Sequence, residues 1–99
     1  MKVNNKLNNI SDFYCTKCGH KGIPVWRKGG QEREAGHLKK MFCLYCQEEE
    51  NMVEVRQSGK YTLEDFWIEF TGGNFINGER KLPYRQFIKE HARKGMKGT

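Results

Sequence analysis

The chain has 99 residues, of which 36% are hydrophobic and 30% charged, with a formal net charge of +6. That length holds one small domain, or one with an appendage, and so low an apolar fraction leaves little margin for a core without metal or disulfide support. No apolar run approaches the roughly 18 residues of a membrane span, and Met1–Ile10 lacks the apolar stretch of a secretory leader. A small basic protein of the cytoplasm, without membrane contact, is therefore expected.

In chain order, residues 1–13 are rich in Asn and Lys and read as an N-terminal tail or short edge segment. Cys15-Thr16-Lys17-Cys18 follows, then a candidate strand over residues 23–28, with Pro24 placing it at an edge or a strand start. The polar stretch 29–36 is bracketed by glycines and reads as a hairpin tip, from which residues 37–43 return as a second strand into Cys43-Leu44-Tyr45-Cys46. Residues 52–56 alternate as a third strand, with Val53 and Val55 on one side. Thr62 and Asp65 then form a capping-box variant opening a helix whose Leu63, Phe66, Trp67 and Phe70 share an apolar face, closed by Gly72-Gly73. Asn77-Gly78 marks a turn. Pro83 suits the first turn of a second helix, with Tyr84, Phe87, Ile88 and His91 on one face, ended by Gly95 and followed by a loose tail.

All four cysteines fall into the two Cys-x-x-Cys pairs. Each pair wraps a tight turn and presents two sulfurs from one side, so two such turns complete the tetrahedral shell that one structural Zn2+ accepts. Cys15, Cys18, Cys43 and Cys46 are the expected metal ligands. Gly19 suits the first turn, where a residue without Cβ is favoured, whereas Gln47 at the matching place of the second departs from that pattern. Iron in a rubredoxin-like shell takes the same ligands, and redox or disulfide chemistry remains an alternative. His20 and His37 read as surface groups or neighbours of the site rather than ligands.

The order knuckle, strand, tip, returning strand, knuckle, strand over residues 14–57 resembles the zinc-ribbon family. The resemblance implies a small α+β fold: a four-cysteine zinc ribbon with a three-stranded antiparallel sheet over 14–57, followed over 58–99 by two amphipathic helices packed on it. The stretch HLKKMFCLYC, with the later YTLEDF and GNF segments, is also similar to small zinc-ribbon proteins of phages and prophages of low-GC bacteria. That likeness implies an origin, with the bacterial host cytoplasm as the compartment, and no activity.

Charge is unevenly placed. Residues 14–47 carry seven basic and two acidic side chains, residues 48–79 two basic and eight acidic, and residues 80–99 seven basic and one acidic. Lys17, Lys21, Arg27, Lys28, Lys39 and Lys40 around the ribbon, with Arg85, Lys89 and Arg93 along the last helix, are the candidate contacts to a phosphate backbone. Tyr45 and Trp26 could add stacking on an unpaired base. A solvated basic face, or pairing of the acidic first helix with the basic second, would account for the same charges.

No Walker loop, dinucleotide fingerprint or serine-nucleophile motif occurs. Glu32 and Glu34 at the tip are reminiscent of transcript-cleavage elongation factors, but Arg33 separates them and cancels charge. A closed four-thiolate site has no open coordination position, so no catalysis at the metal is expected. The expectation is a non-enzymatic structural-zinc protein with DNA or RNA, or a nucleic-acid-processing complex, as partner and no small-molecule substrate. The rival is a phage-encoded interaction module that modulates or inhibits a host enzyme or defence complex, with the acidic 48–69 stretch or the Glu-rich tip as its docking face.

Overall fold

The computed structural model describes residues 10–26, 34–57 and 59–97, with residues 92–97 described by their backbone alone. Strands β1 (Ile10–Cys15), β2 (Val25–Trp26), β3 (Leu38–Cys43) and β4 (Glu48–Val55) are followed by helix α1 (Leu63–Thr71). A small hairpin, β5 (Phe75–Ile76) and β6 (Glu79–Arg80), leads into helix α2 (Tyr84–Lys97). The fold is α+β, with a four-stranded sheet in the order β2-β1-β4-β3. Every pairing in it is antiparallel.

Two expectations about the sheet are corrected. It has four strands rather than three, because residues 10–13, read from the sequence within a tail, belong to β1 at the sheet interior. Both alternating rows of β1 carry a polar residue, Ser11 in one and Asp12 in the other, so no clean apolar alternation marks the strand. Ser11 is nonetheless buried, where its hydroxyl donates to the Glu54 carboxylate. The second correction concerns pairing. The strands read as one hairpin around a 29–36 tip, β2 and β3, lie at opposite edges of the sheet. Each cysteine turn reverses the chain itself, so β1 pairs with β2 across the first and β3 with β4 across the second. The β1–β4 pairing, from Asp12 opposite Val55 to Cys15 opposite Met52, joins the two halves.

Both sheet faces are covered. Phe13, Cys15, Cys43 and Met52 form one buried cluster, with Val25 and Met41 against it. On the other face Val53, Val55, Tyr61 and Phe66 form a second, joined by Tyr14, Leu38, Phe70, Phe75 and Tyr84. Val53 and Val55 thus face one way as the alternation predicts, but Met52, Glu54 and Arg56 on the opposite row are buried as well.

Helix α1 begins as its sequence predicts. The Asp65 amide donates to Thr62 Oγ1 at 3.3 Å, and the Thr62 amide donates to Asp65 Oδ2 at 2.9 Å, a reciprocal cap. Gly72 closes it by donating to the Ile68 carbonyl. Its buried face is rotated from the expected one: Phe66 and Glu69 are buried, Phe70 half-buried, and Leu63 and Trp67 remain exposed. Glu69 is tolerated inside because its partners arrive from the segments before and after the helix. Tyr61 Oη donates to Oε1 at 2.5 Å, Arg80 Nε donates to Oε2 at 2.5 Å, and Asn74 Nδ2 donates to Oε2. Arg80 also donates to the Gly36 carbonyl at 2.9 Å, so this one polar knot ties α1, the β5–β6 hairpin and the approach to β3 together.

Asn77 (φ 54°) and Gly78 (φ 83°) make the two-residue turn between β5 and β6, both with the positive φ of a type I′ hairpin. In α2, Phe87 is buried, Tyr84 and Ile88 are half-buried, and His91 is exposed, stacked on Phe87. Gly95 does not end this helix, which runs to Lys97. A glycine costs a helix interior only about 1 kcal/mol relative to alanine and is no stop without a left-handed cap behind it. No helix among the described residues is long and apolar enough to cross a membrane.

Candidate metal centre

The four cysteine sulfurs lie within 4.8 Å of one another. Cys15 and Cys43 each end a strand and are buried, and Cys18 and Cys46, three residues on, are half-buried. The two turns repeat one geometry. The Gly19 amide donates to the Cys15 carbonyl at 2.9 Å, and the Gln47 amide donates to the Cys43 carbonyl at 2.8 Å. The amides of Lys17 and Cys18 point at Cys15 Sγ, 3.4 and 3.5 Å away, as the Cys46 amide points at Cys43 Sγ, 3.4 Å away. Such N–H groups favour the ionised sulfur.

Across the turns, Cys15 Sγ is 3.9 Å from Cys46 Sγ, and Cys18 Sγ is 3.5 Å from Cys43 Sγ. A tetrahedron with metal–sulfur bonds of about 2.3 Å has edges of about 3.8 Å. These two spacings bracket that edge and are far longer than a disulfide bond of about 2.05 Å. The residues therefore fit a single tetrahedral ion. Among the four thiols alone, burial pushes Cys18 up to about 11 and Cys46 higher still. At Cys43 burial opposes ionisation too, but the Cys46 amide and the Cys18 sulfur outweigh it and lower the value. Four thiolates cannot share so small a space without a cation, and a dication supplies the missing charge.

Gln47, the sequence's departure from the ideal knuckle, adopts the same left-handed backbone as Gly19, at φ 63° against 82°. Its side chain helps to hold it there, Nε2 donating to the Leu44 carbonyl at 2.9 Å. A left-handed residue with a Cβ costs about 1–2 kcal/mol, and glycine gives back about half of that through the unfolded chain. Gln47→Gly should thus stabilise the protein by about 0.5–1 kcal/mol, read as a higher guanidinium midpoint. At Gly19 the reverse holds: a Cβ would also meet the Phe70 ring at 3.2 Å, so Gly19→Ala should lower the midpoint.

The site is anchored to the C-terminal half. Thr16, between the first two ligands, is buried, and its Oγ1 lies 2.7 Å from the carbonyl oxygens of both Asn51 and Gly78. Asn51 Nδ2 donates to the same Gly78 oxygen at 3.1 Å. Neither histidine joins the sulfur cluster among the described residues. The His20 ring stacks on Tyr45, bridging the two turns with centroids 3.6 Å apart and planes 11° from parallel.

The structure sorts the predicted phosphate contacts into three groups. Lys17 is spoken for by Glu48 at 3.2 Å and Glu50 at 3.5 Å, which hold its ammonium above the usual lysine value, and Lys21 pairs with Asp12 at 3.6 Å. Lys39 and Lys40 on β3, with Arg85 and Lys89 on α2, are exposed and make no ion pair among the described residues. Arg27, Lys28 and the side chain of Arg93 lie outside the described residues, as does Glu32 of the expected tip. The suggested pairing of α1 with α2 is not how Glu69 is neutralised; its partner is Arg80 on β6. Comparison with family models, curated proteins and solved structures finds no match to this chain.

The cysteine motifs do not reveal the support around the four sulfurs: β1, Thr16 and the Glu69 knot. The one sequence signal for the knot was Glu69 itself, three residues after Phe66 and so beside the apolar stripe of α1.

Proposed function

We propose that the chain is a non-enzymatic structural-zinc protein of zinc-ribbon type, held by one Zn2+ on Cys15, Cys18, Cys43 and Cys46. In this reading it contacts nucleic acid, or a nucleic-acid-processing complex, through its exposed basic side chains. The observation that carries the metal half is the four-sulfur cluster, whose spacing and four-ligand shell suit an ion that never changes valence or ligands. Elemental analysis of the purified protein should return one zinc per chain; stoichiometric iron, with a red colour, would replace zinc in this reading.

The nucleic-acid half is supported by Lys39, Lys40, Arg85 and Lys89, cations left exposed and without a carboxylate partner among the described residues. Labelled DNA and RNA should bind at low ionic strength and be released by salt. If all four cations touch phosphate, the log–log salt slope is about −3 to −4, and Arg85→Glu with Lys89→Glu makes it about 2 units shallower. Absence of any binding at low ionic strength would sink the reading.

A further inference from the structure

Beyond that reading, and on a different surface, we infer that the cysteine-turn end of the molecule docks a basic, apolar-anchored segment of a partner protein. Exposed apolar and aromatic side chains from α1 and from both cysteine turns lie along it, joined across the chain by two contacts. Leu63 and Trp67, 39% and 40% exposed, lie one turn apart on α1. The Trp67 ring borders Gly19, where an added side-chain carbon would sit 3.6 Å from it. His20, the next residue, stacks on Tyr45, and Tyr45 and its neighbour Leu44 are 64% and 69% exposed. The sequence places this stripe in two different halves of the chain, and only folding joins it.

Two properties make it a receptor rather than an ordinary patch. The loops carrying Gly19, His20, Leu44 and Tyr45 are closed by backbone hydrogen bonds at both cysteine turns, so little ordering is left to oppose binding. Aromatic rings on rigid supports are the residues that dominate protein recognition. The flanking charge selects the occupant. Lys17 and Lys21, the nearby cations, are already taken by Glu48, Glu50 and Asp12. Glu64 beside Leu63 is exposed with no basic partner among the described residues, and Lys17 sits between two carboxylates, Glu48 and Glu50. A divalent ion on four thiolates adds a net −2. This rim repels phosphate, whether of nucleic acid or of an anionic membrane, and attracts Lys and Arg.

The test is a selection of random peptides displayed against the zinc-loaded full chain. Recovered peptides should combine Leu, Phe or Trp anchors with Lys or Arg. In a Trp26→Phe background, their binding should shift the emission of Trp67. Leu44→Asp, and independently Leu63→Asp on α1, should each weaken binding about tenfold or more at unchanged zinc content and helix signal. Glu64→Lys should weaken it further as salt is lowered. The inference is overturned by no enriched family, by acidic peptides, by binding indifferent to both Asp variants, by oligonucleotide binding that either variant abolishes, or by self-association that they reverse. Peptides still bound by an Arg85→Glu variant that has lost DNA binding would support the inference as a site of its own.

Discussion

Removing the metal, by a strong chelator or by Cys43→Ser, is expected to unfold the described chain as a whole. Zinc binding to small folds has an apparent strength of about 10–16 kcal/mol at neutral pH, as large as the full stability of a typical domain, about 5–15 kcal/mol. The loss should not stop at the strands. Thr16 holds the Gly78 carbonyl of the β5–β6 turn, and Gly19 packs against the Phe70 ring of α1, so the metal loop and the C-terminal half share their contacts. A helix of nine residues such as α1 does not persist alone in water. Helical circular dichroism and tryptophan emission should therefore fall together as chelator is added, and return together with zinc. A helix signal that outlives the metal would show that residues 58–99 fold by themselves and that this coupling is absent.

The second large effect is expected at Glu69. Its carboxylate is fully buried and receives Tyr61, Asn74 and a two-pronged Arg80, whose side chain is only 15% exposed. Glu69→Ala leaves the guanidinium without its counter-charge and should cost about 3–5 kcal/mol. In a domain this small that is a fall in Tm of more than 10 °C, at about 4–8 °C per kcal/mol. Glu69→Leu combined with Arg80→Met should recover most of it, because an apolar pair of similar volume avoids the desolvation both charges suffer. A single-variant loss below about 1 kcal/mol would mean that the knot does not hold the hairpin to α1. Burial and the Glu69 carboxylate hold the Tyr61 phenol above its usual range. The contribution of this contact is therefore complete below about pH 10 and declines as pH rises beyond it, when only the unfolded tyrosine ionises.

Local chemistry was legible in the residues. The Cys-x-x-Cys pairs, the Thr62–Asp65 cap, the Asn77-Gly78 turn and the opening of α2 at Pro83 each depend on side chains within four positions of one another. All four features stand as read, and the ligand set is one cluster. Partnerships across the chain were not legible. Nothing near Ser11 announces Glu54, 43 residues away, and without that partner β1 looks too polar for the sheet interior. The edge positions of β2 and β3 follow from which strands the cysteine turns bring together, which spacing does not encode.

By itself, then, the sequence determined the pairing of the four cysteines into one candidate metal cluster and the kind of β2, β3, β4 and both helices, because ligand spacing and capping are short-range and specific to residue type. Only the tertiary structure decided the strand order, the burial of Glu69 and the fate of the +6 charge. Lys17 and Lys21 are neutralised beside the cysteine turns, while Lys39, Lys40, Arg85 and Lys89 stay free of ion pairs among the described residues. The reason is that an ion pair or a buried carboxylate is defined by distances through space, and residues remote in the chain acquire those distances only when the sheet closes and the metal loops lock against it.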